Sequence, residues 1–596
     1  MTTTVLMGCG DPEDSYKPPK ITVEDPFPSS TDYQVKNLSQ AKGDIKAVEI
    51  TKKDGSSPGD ITNICYEGTL GTSYPKSNNL PPASSTGYYL VTFDVKEAKG
   101  WQAVTGLVAG VLKINDKIVN SAAELVAYLA TQSANTPNPP LYIAVNVANL
   151  TEIKTALDGA PGIYVSLDLS ESTITTIPDN AFQNTPTLTG ITIPAGVSSI
   201  GRYAFDGCTN LKNASLPNSI TRIWNNAFQG CTALFNINIP AGSLTTIEAS
   251  TFYNCTGLID LTLPNNITRI NSNAFQSCTG LYSIKMSGVT RIENNAFQGC
   301  TALSSTDLSK VTTIGAYAFV GTNLTSINLS SASNIGQSAF QGTPILNVYS
   351  LRDYVNINES AFQDCANLGS IQIPQYAYIY EAAFKDCKSL IQNVTISNGT
   401  IGTSAFEGCI LLPQVNINTS AIGNSAFKGC TSLTIATLGS NVQYINLSAF
   451  EGCTILATVN INGNNVEIGE SAFSGCAALT GITIPVNAII GDFAFKNSGL
   501  TSVTIPAGVN DIGESAFEDC ASLASLTINT GNANLRDNSF KNTGLTVVIF
   551  NSLIYRDFFS DSAFDGGLKS VFYSIDENMG TTGIYQRTSS SWEKQP

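Results

Sequence analysis

Residues 479 to 520 read LTGITIPVNAIIGDFAFKNSGLTSVTIPAGVNDIGESAFEDC. One pattern runs through them twice: Leu479 and Leu500, Ile484-Pro485 and Ile505-Pro506, Ile490-Gly491 and Ile512-Gly513, Ala494-Phe495 and Ala516-Phe517. Working outward, the phenylalanine recurs at 182, 205, 228, 252, 275, 297, 319, 340, 362, 384, 406, 427, 450, 473, 495, 517, 540 and 564, eighteen copies spaced 21 to 24 residues. Five residues before each Phe stands Ile in the first sixteen copies, from Ile177 to Ile512, and then Leu535 and Phe559. A unit of this size cannot bury its own apolar face, so the pattern predicts a stack in which neighbours supply one continuous core.

Within a unit, Leu479, Ile482 and Ile484 alternate with Thr483, which places the first three inward and the threonine outward, and Pro485 ends the strand. Parallel strands about 4.8 Å apart in eighteen coils predict a body roughly 80 to 90 Å long with its sheet on the concave side. The expected fold is therefore an α/β repeat solenoid, a curved superhelix preceded by a small all-β module. Its outward mid-strand column includes Thr192, Ser215, Asn238, Thr262, Lys285, Asp307, Asn328, Ser350, Gln372, Thr395, Asn416, Thr437, Asn460 and Thr483. This column is polar and nearly uncharged, suited to hydrogen bonding with protein loops or glycans, though Thr and Asn are also ordinary solvated occupants of a stacked sheet. The ligand-binding candidates are Asn238, Thr262, Lys285, Asp307, Asn328, Gln372, Asn416 and Asn460.

The run Ile-Pro-x-x-Val-x-x-Ile-Gly-x-x-Ala-Phe-x-x-Cys, plainest over 484 to 520, resembles the BspA-like, or treponemal, class of leucine-rich repeat. The resemblance covers about two thirds of the chain. It implies a bacterial surface or secreted protein that adheres to host matrix proteins and to other bacteria.

Twelve of the fourteen cysteines occupy one slot, three residues after the Phe. The other six copies place Thr185, Thr322, Thr343, Ser498, Thr543 and Gly567 there, so the slot takes small side chains in general. A thiolate metal site would not tolerate that, and the expected role is a buried column packing as small hydrophobes, with disulfides between adjacent coils as the alternative. No metal and no cofactor is expected. The chain contains no histidine, which removes Ser-His-Asp, Cys-His and His-metal chemistry. A net charge of -15 repels phosphate backbones, so nucleic acid is not an expected partner.

Outside the repeats, residues 1–30 read as a leader and tether. Leu6-Met7-Gly8-Cys9 resembles a bacterial lipobox, and Cys9 is the candidate for lipidation and the expected route to a membrane, although neither a basic nor an apolar region precedes it. Residues 31–116 alternate at Tyr89, Val91, Phe93 and Val95 and read as a small all-β, Ig-like module. Residues 117–176 read as an N-terminal α/β cap, with Ser121 and Glu124 at capping-box spacing. Residues 177–566 form the solenoid and 567–596, with Tyr585 and Trp592, a C-terminal cap.

Two further side-chain groups stand out. Tyr354, Tyr376, Tyr378 and Tyr380 lie in adjacent coils as an aromatic-patch candidate, with some of them expected in the core. Arg222, Arg269 and Arg291 share the place just before the Ile column and read as a solvated basic edge. Three functions compete: an adhesion or scaffold protein, a glycan-active enzyme and an envelope spacer without a ligand. Acids share no column that could pair two carboxylates across a cleft, which disfavours the enzyme. The expectation is a monomeric, non-enzymatic adhesion protein, extracellular or at the bacterial cell surface. Its expected partners are host matrix proteins or bacterial surface proteins, with glycans as a further class.

Overall fold

The computed structural model describes residues 33–36, 39–41, 47–52, 61–69, 75–81, 87–96, 103–588 and 591–596. Cys9 and the tether lie outside these residues. The chain divides into two compact units, Met1–Asn146 with Ile163–Glu171, and Val147–Gly162 with Ser172–Pro596.

In the first unit, alternation along the sequence becomes alternation across a sheet. The strands are β1 (Tyr33–Lys36), β2 (Ser39–Ala41), β3 (Glu49–Lys52), β4 (Ile61–Thr69), β5 (Gly87–Val95) and β6 (Val104–Asn115). β5 lies antiparallel between β4 and β6, β1 pairs antiparallel with β3, and β2 runs parallel to β6. Tyr89, Val91, Phe93 and Val95 are all buried, packing with Val48 and Tyr66 or with Tyr33, whose ring meets Phe93 edge-on at 5.0 Å. This is the small antiparallel region consistent with an Ig-like module. It is followed by β7 (Lys117–Val119), α1 (Ala122–Leu129), β8 (Leu141–Val145) and, beyond a helix of the other unit, β9 (Val165–Asp168), with β7, β8 and β9 parallel. Ser121 caps α1 by accepting the Glu124 N–H at 3.2 Å, while the Glu124 carboxylate accepts the Asn120 N–H at 2.8 Å.

The second unit opens with α2 (Thr151–Asp158), which buries Ile153, Ala156 and Leu157. From there it is a parallel β-solenoid of the leucine-rich-repeat type. The eighteen Phe rings form one column of nearly parallel faces, as in Phe340, Phe362 and Phe384 with centroids 5.3 Å apart. In seventeen of the coils the residues two before and two after the Phe hold positive φ, for example Asn226 at 62° and Gly230 at 68°. That requirement explains why Gly, Asn and Asp recur two residues after the ring, since these tolerate left-handed backbone best.

Each coil carries two strand positions rather than the one expected. The residue pair ending in the Ile column builds a ladder that runs unbroken through fourteen strands, from Thr246–Ile247 to Asn534–Leu535. The longer strand with the outward polar column is broken into shorter sheets, among them Ser326–Leu329 to Ser370–Ile371, Val394–Ser397 to Thr458–Ile461, and Ser502–Ile505 to Val547–Phe550. The Ile column offers nearly the same side chain in every coil and so keeps a uniform separation, whereas the strand face changes residue and length from coil to coil.

After the last coil, α3 (Leu568–Phe572) leads to Gly583–Arg587, which pairs antiparallel with Val547–Phe550 and then with Trp592–Lys594. Phe550, Phe559, Phe572, Tyr573 and Tyr585 form one aromatic cluster, and the Trp592 indole donates to the Asp565 carbonyl at 2.9 Å.

Candidate binding surface

All eight named strand-face residues are solvent-exposed, and all but Asp307, which follows the polar Thr306, sit between two apolar positions on a pleated segment. Hydrogen bonding divides them. Asn238 exchanges both amide bonds with the Leu216 backbone, donating to its carbonyl at 2.9 Å and accepting its N–H at 3.0 Å. It thereby supplies a donor that Pro240, two residues on, lacks. Asp307 accepts the Ser309 N–H at 2.9 Å, and hydrogen bonds from Ser309 hold its carboxyl below the usual carboxylate range. Asn328 accepts the Ser330 N–H at 3.0 Å. The side chains of Thr262, Lys285, Gln372, Asn416 and Asn460 make no hydrogen bond among the described residues. Thr262 stands beside Lys285, and Thr395, Asn416, Thr437 and Asn460 stand in register on four successive coils.

One assignment in that column changes. A bulge between Ile327–Leu329 and Val348–Leu351 shifts the register, and Val348 pairs with Ile371, so the residue opposite Gln372 is Tyr349 and not Ser350. Tyr349 is 65% exposed, the most open tyrosine of the described chain. Alternation counted back from Leu351 points to Ser350, and no local sequence signal marks the extra residue.

The tyrosine expectation is corrected as well: none of the four is in the core. Tyr376, Tyr378 and Tyr380 are two residues apart and share an outward direction, while Ala377 and Ile379 take the buried places between them. Tyr354 and Tyr376 stack at 4.6 Å with planes 7° apart, both on left-handed backbone at φ 61° and 58°. The basic edge is solvated, with all three arginine side chains 48% exposed, but it is paired. Arg222 pairs with Glu248 at 3.1 Å, Arg269 with Glu293 at 2.6 Å, and Arg291 with Glu293, which leaves little free charge along that column.

A family model described as a BspA type leucine rich repeat region, in six copies, matches residues 175–304, 290–413, 377–489 and 456–570. The chain belongs to the BspA-type leucine-rich-repeat family. Among solved structures it is similar to a leucine-rich repeat protein from Bacteroides ovatus, at 25% identity over 60% of this chain and 82% of that one, with a TM-score of 0.35. The leucine-rich repeat protein of T. pallidum is 31% identical over 26% of this chain and 76% of that one, with a TM-score of 0.25. A leucine rich cell surface protein from Faecalibacterium prausnitzii is 23% identical over 68% and 100%, with a TM-score of 0.29. No curated protein matches the chain at a significant level.

In this BspA-type solenoid the cysteines are structural. All thirteen described cysteines are free thiols, and the twelve of the repeat slot are buried. Each of the twelve donates to the Phe carbonyl of the preceding coil, as in Cys208 to Phe182 at 3.0 Å and Cys476 to Phe450 at 3.4 Å. At Thr322, Thr343 and Thr543 the slot hydroxyl turns to the Phe carbonyl of its own coil instead, at 2.7 to 2.9 Å, whereas the buried Thr185 hydroxyl has no hydrogen-bond partner among the described residues. Burial pushes the Cys365 thiol up to about 11 and the Cys208 and Cys476 thiols up to about 12. A raised folded-state value means that the folded chain keeps protons the unfolded chain releases. Stability present below the ordinary thiol value of 9.0 is therefore lost as pH rises toward about 12. Urea midpoints measured from about pH 8 to about pH 11 should fall, and fall less steeply in Cys365→Thr. A pH slope identical in the two proteins would contradict the assignment.

Among the described residues no group of three His, Cys, Asp or Glu side chains could hold a metal ion, and no helix is long and apolar enough to cross a membrane.

Proposed function

We propose that this BspA-type chain is a non-enzymatic bacterial cell-surface or secreted protein that binds other macromolecules through its strand face. Host extracellular matrix proteins and the surface proteins of other bacteria are its partners in this reading, with a lipid on Cys9 as its means of attachment. The observation that carries it is the register of Thr395, Asn416, Thr437 and Asn460. These four uncharged polar side chains repeat at strand spacing across successive coils, and both amides are free of internal hydrogen bonds. A rigid stack presents such groups without the entropic cost of ordering them on contact. A shallow groove of about 380 Å³ runs beside them, lined by Asn416, Asn418, Thr437 and Asn462 among others.

The test is binding of the full chain to immobilised matrix proteins and to whole bacteria, with Thr395→Lys, Asn416→Glu and Asn460→Lys combined in one variant. Saturable binding by the parent that weakens by about tenfold or more in the variant, roughly 1.4 kcal/mol, is the expected result. Unchanged binding by a variant of unchanged melting temperature would move the contact away from this face. A glycan reading rests on a separate observation, the stacked pair of the exposed Tyr354 and the half-buried Tyr376, which offers a flat apolar platform. Loss of glycan-array binding in Tyr354→Ala with protein binding intact would favour it.

A further inference from the structure

The strand-face ladder is interrupted on both sides of one coil. Thr458–Ile461 pairs with Ile435–Leu438 before it, and Ser502–Ile505 pairs with Ser525–Ile528 after it, but the intervening Gly481–Ile484 forms no strand. In paired coils the residue after the second apolar position donates its N–H to the coil before: Gly439 to Ile417, Asn462 to Leu438, Asn529 to Ile505 and Asn551 to Ile528, at 2.7 to 2.9 Å. Pro485 and Pro506 hold that place in two consecutive coils and have no N–H to give. Strand alternation turns the backbone groups of Val459 and Ile461 on one wall, and of Ser502 and Thr504 on the other, toward the interrupted coil. Among the described residues no hydrogen bond joins Gly481–Ile484 to either wall.

The result is a groove of about 800 Å³. A Cβ built on Gly481 would meet nothing within 4 Å, so its floor is open. Its lining carries hydroxyls and the Asn460 amide, with Ile482 and the exposed Val486 as apolar contacts, and it includes neither a charged side chain nor an aromatic ring.

We propose that this groove docks an extended, uncharged polypeptide segment by strand addition. Two walls that present backbone donors and acceptors at strand spacing match the repeating N–H and C=O of a peptide. The missing charges exclude strongly acidic or basic segments, and the missing rings remove the stacking platform on which a sugar would sit. The proposal deepens the strand-face reading and rests on it.

The test uses the full chain and a fluorescent heptapeptide, Thr-Val-Thr-Ile-Thr-Val-Thr, beside the same peptide N-methylated at alternate residues. The expected result is saturable binding of the first peptide and at least about tenfold weaker binding of the second, whose backbone donors are blocked. Gly481→Arg, which fills the open floor, should reduce peptide binding by a similar factor at unchanged melting temperature. Thr483→Arg serves if the first variant does not fold. Absence of saturable binding, equal binding of the methylated peptide, survival of binding in both variants, or displacement by a neutral hexasaccharide would each overturn the proposal. Failure of the peptide arm while the parent chain still binds matrix proteins rejects the groove and leaves the strand-face reading standing.

Discussion

Phe362→Ala will destabilise the repeat stack by about 3–5 kcal/mol, the usual cost of deleting a buried aromatic ring that its surroundings cannot replace. The Phe362 ring is fully buried and lies between Phe340 and Phe384, each 5.3 Å away with planes 8° and 2° apart. Removing it opens a cavity against two neighbours at once, and the uniform spacing set by the Ile ladder prevents the flanking coils from closing over it. Because a solenoid coil touches only its neighbours, the damage should stay local. Amide exchange should quicken in the coils around residues 340 to 384 and stay unchanged near Ile223. A urea midpoint no lower than that of Thr395→Ala, an exposed strand-face change, would contradict the packing account.

Truncation after Gly566 should convert the protein to concentration-dependent oligomers or aggregate. The deletion removes Tyr585, Phe572 and Tyr573 from the aromatic cluster and strips Gly583–Arg587 from the edge of Val547–Phe550. Phe550 and Phe559 would then face water beside a row of unpaired strand groups, a template for pairing with another chain. Light scattering coupled to gel filtration reads the outcome directly. A truncated chain that stays monomeric with the parent's melting temperature would show that the last coil needs no cover. Tyr585→Ala, which leaves the pairing strand in place, should have the smaller effect.

Much of this was legible in the amino-acid order because a repeat multiplies weak signals. The Phe register, the Ile ladder and the Cys slot each recur often enough for side-chain size and φ preference to show through, and the structure places all three columns in the core. The exposure of Asn416 and Asn460 followed from alternation alone. Alternation failed at Tyr349, where a bulge adds one residue, whereas the expectation that some of Tyr354, Tyr376, Tyr378 and Tyr380 lie in the core failed because Tyr376, Tyr378 and Tyr380 share one parity of the alternation and Ala377 and Ile379 take the inward places.

The boundary between what is local and what is not falls inside a single heptapeptide. Leu188-Thr-Gly-Ile-Thr-Ile-Pro194 and Leu479-Thr-Gly-Ile-Thr-Ile-Pro485 are identical in sequence. The first contains a five-residue strand, Leu188–Thr192, buried throughout and paired with Asn213–Ser215; the second contains no strand and floors an open groove. Composition and period alone determine that both belong to coils, that Leu188 and Leu479 point inward, and that proline follows the last apolar residue. Whether the backbone between them pairs depends on the coils before and after, because a strand's hydrogen bonds are made to a partner that its own residues do not encode.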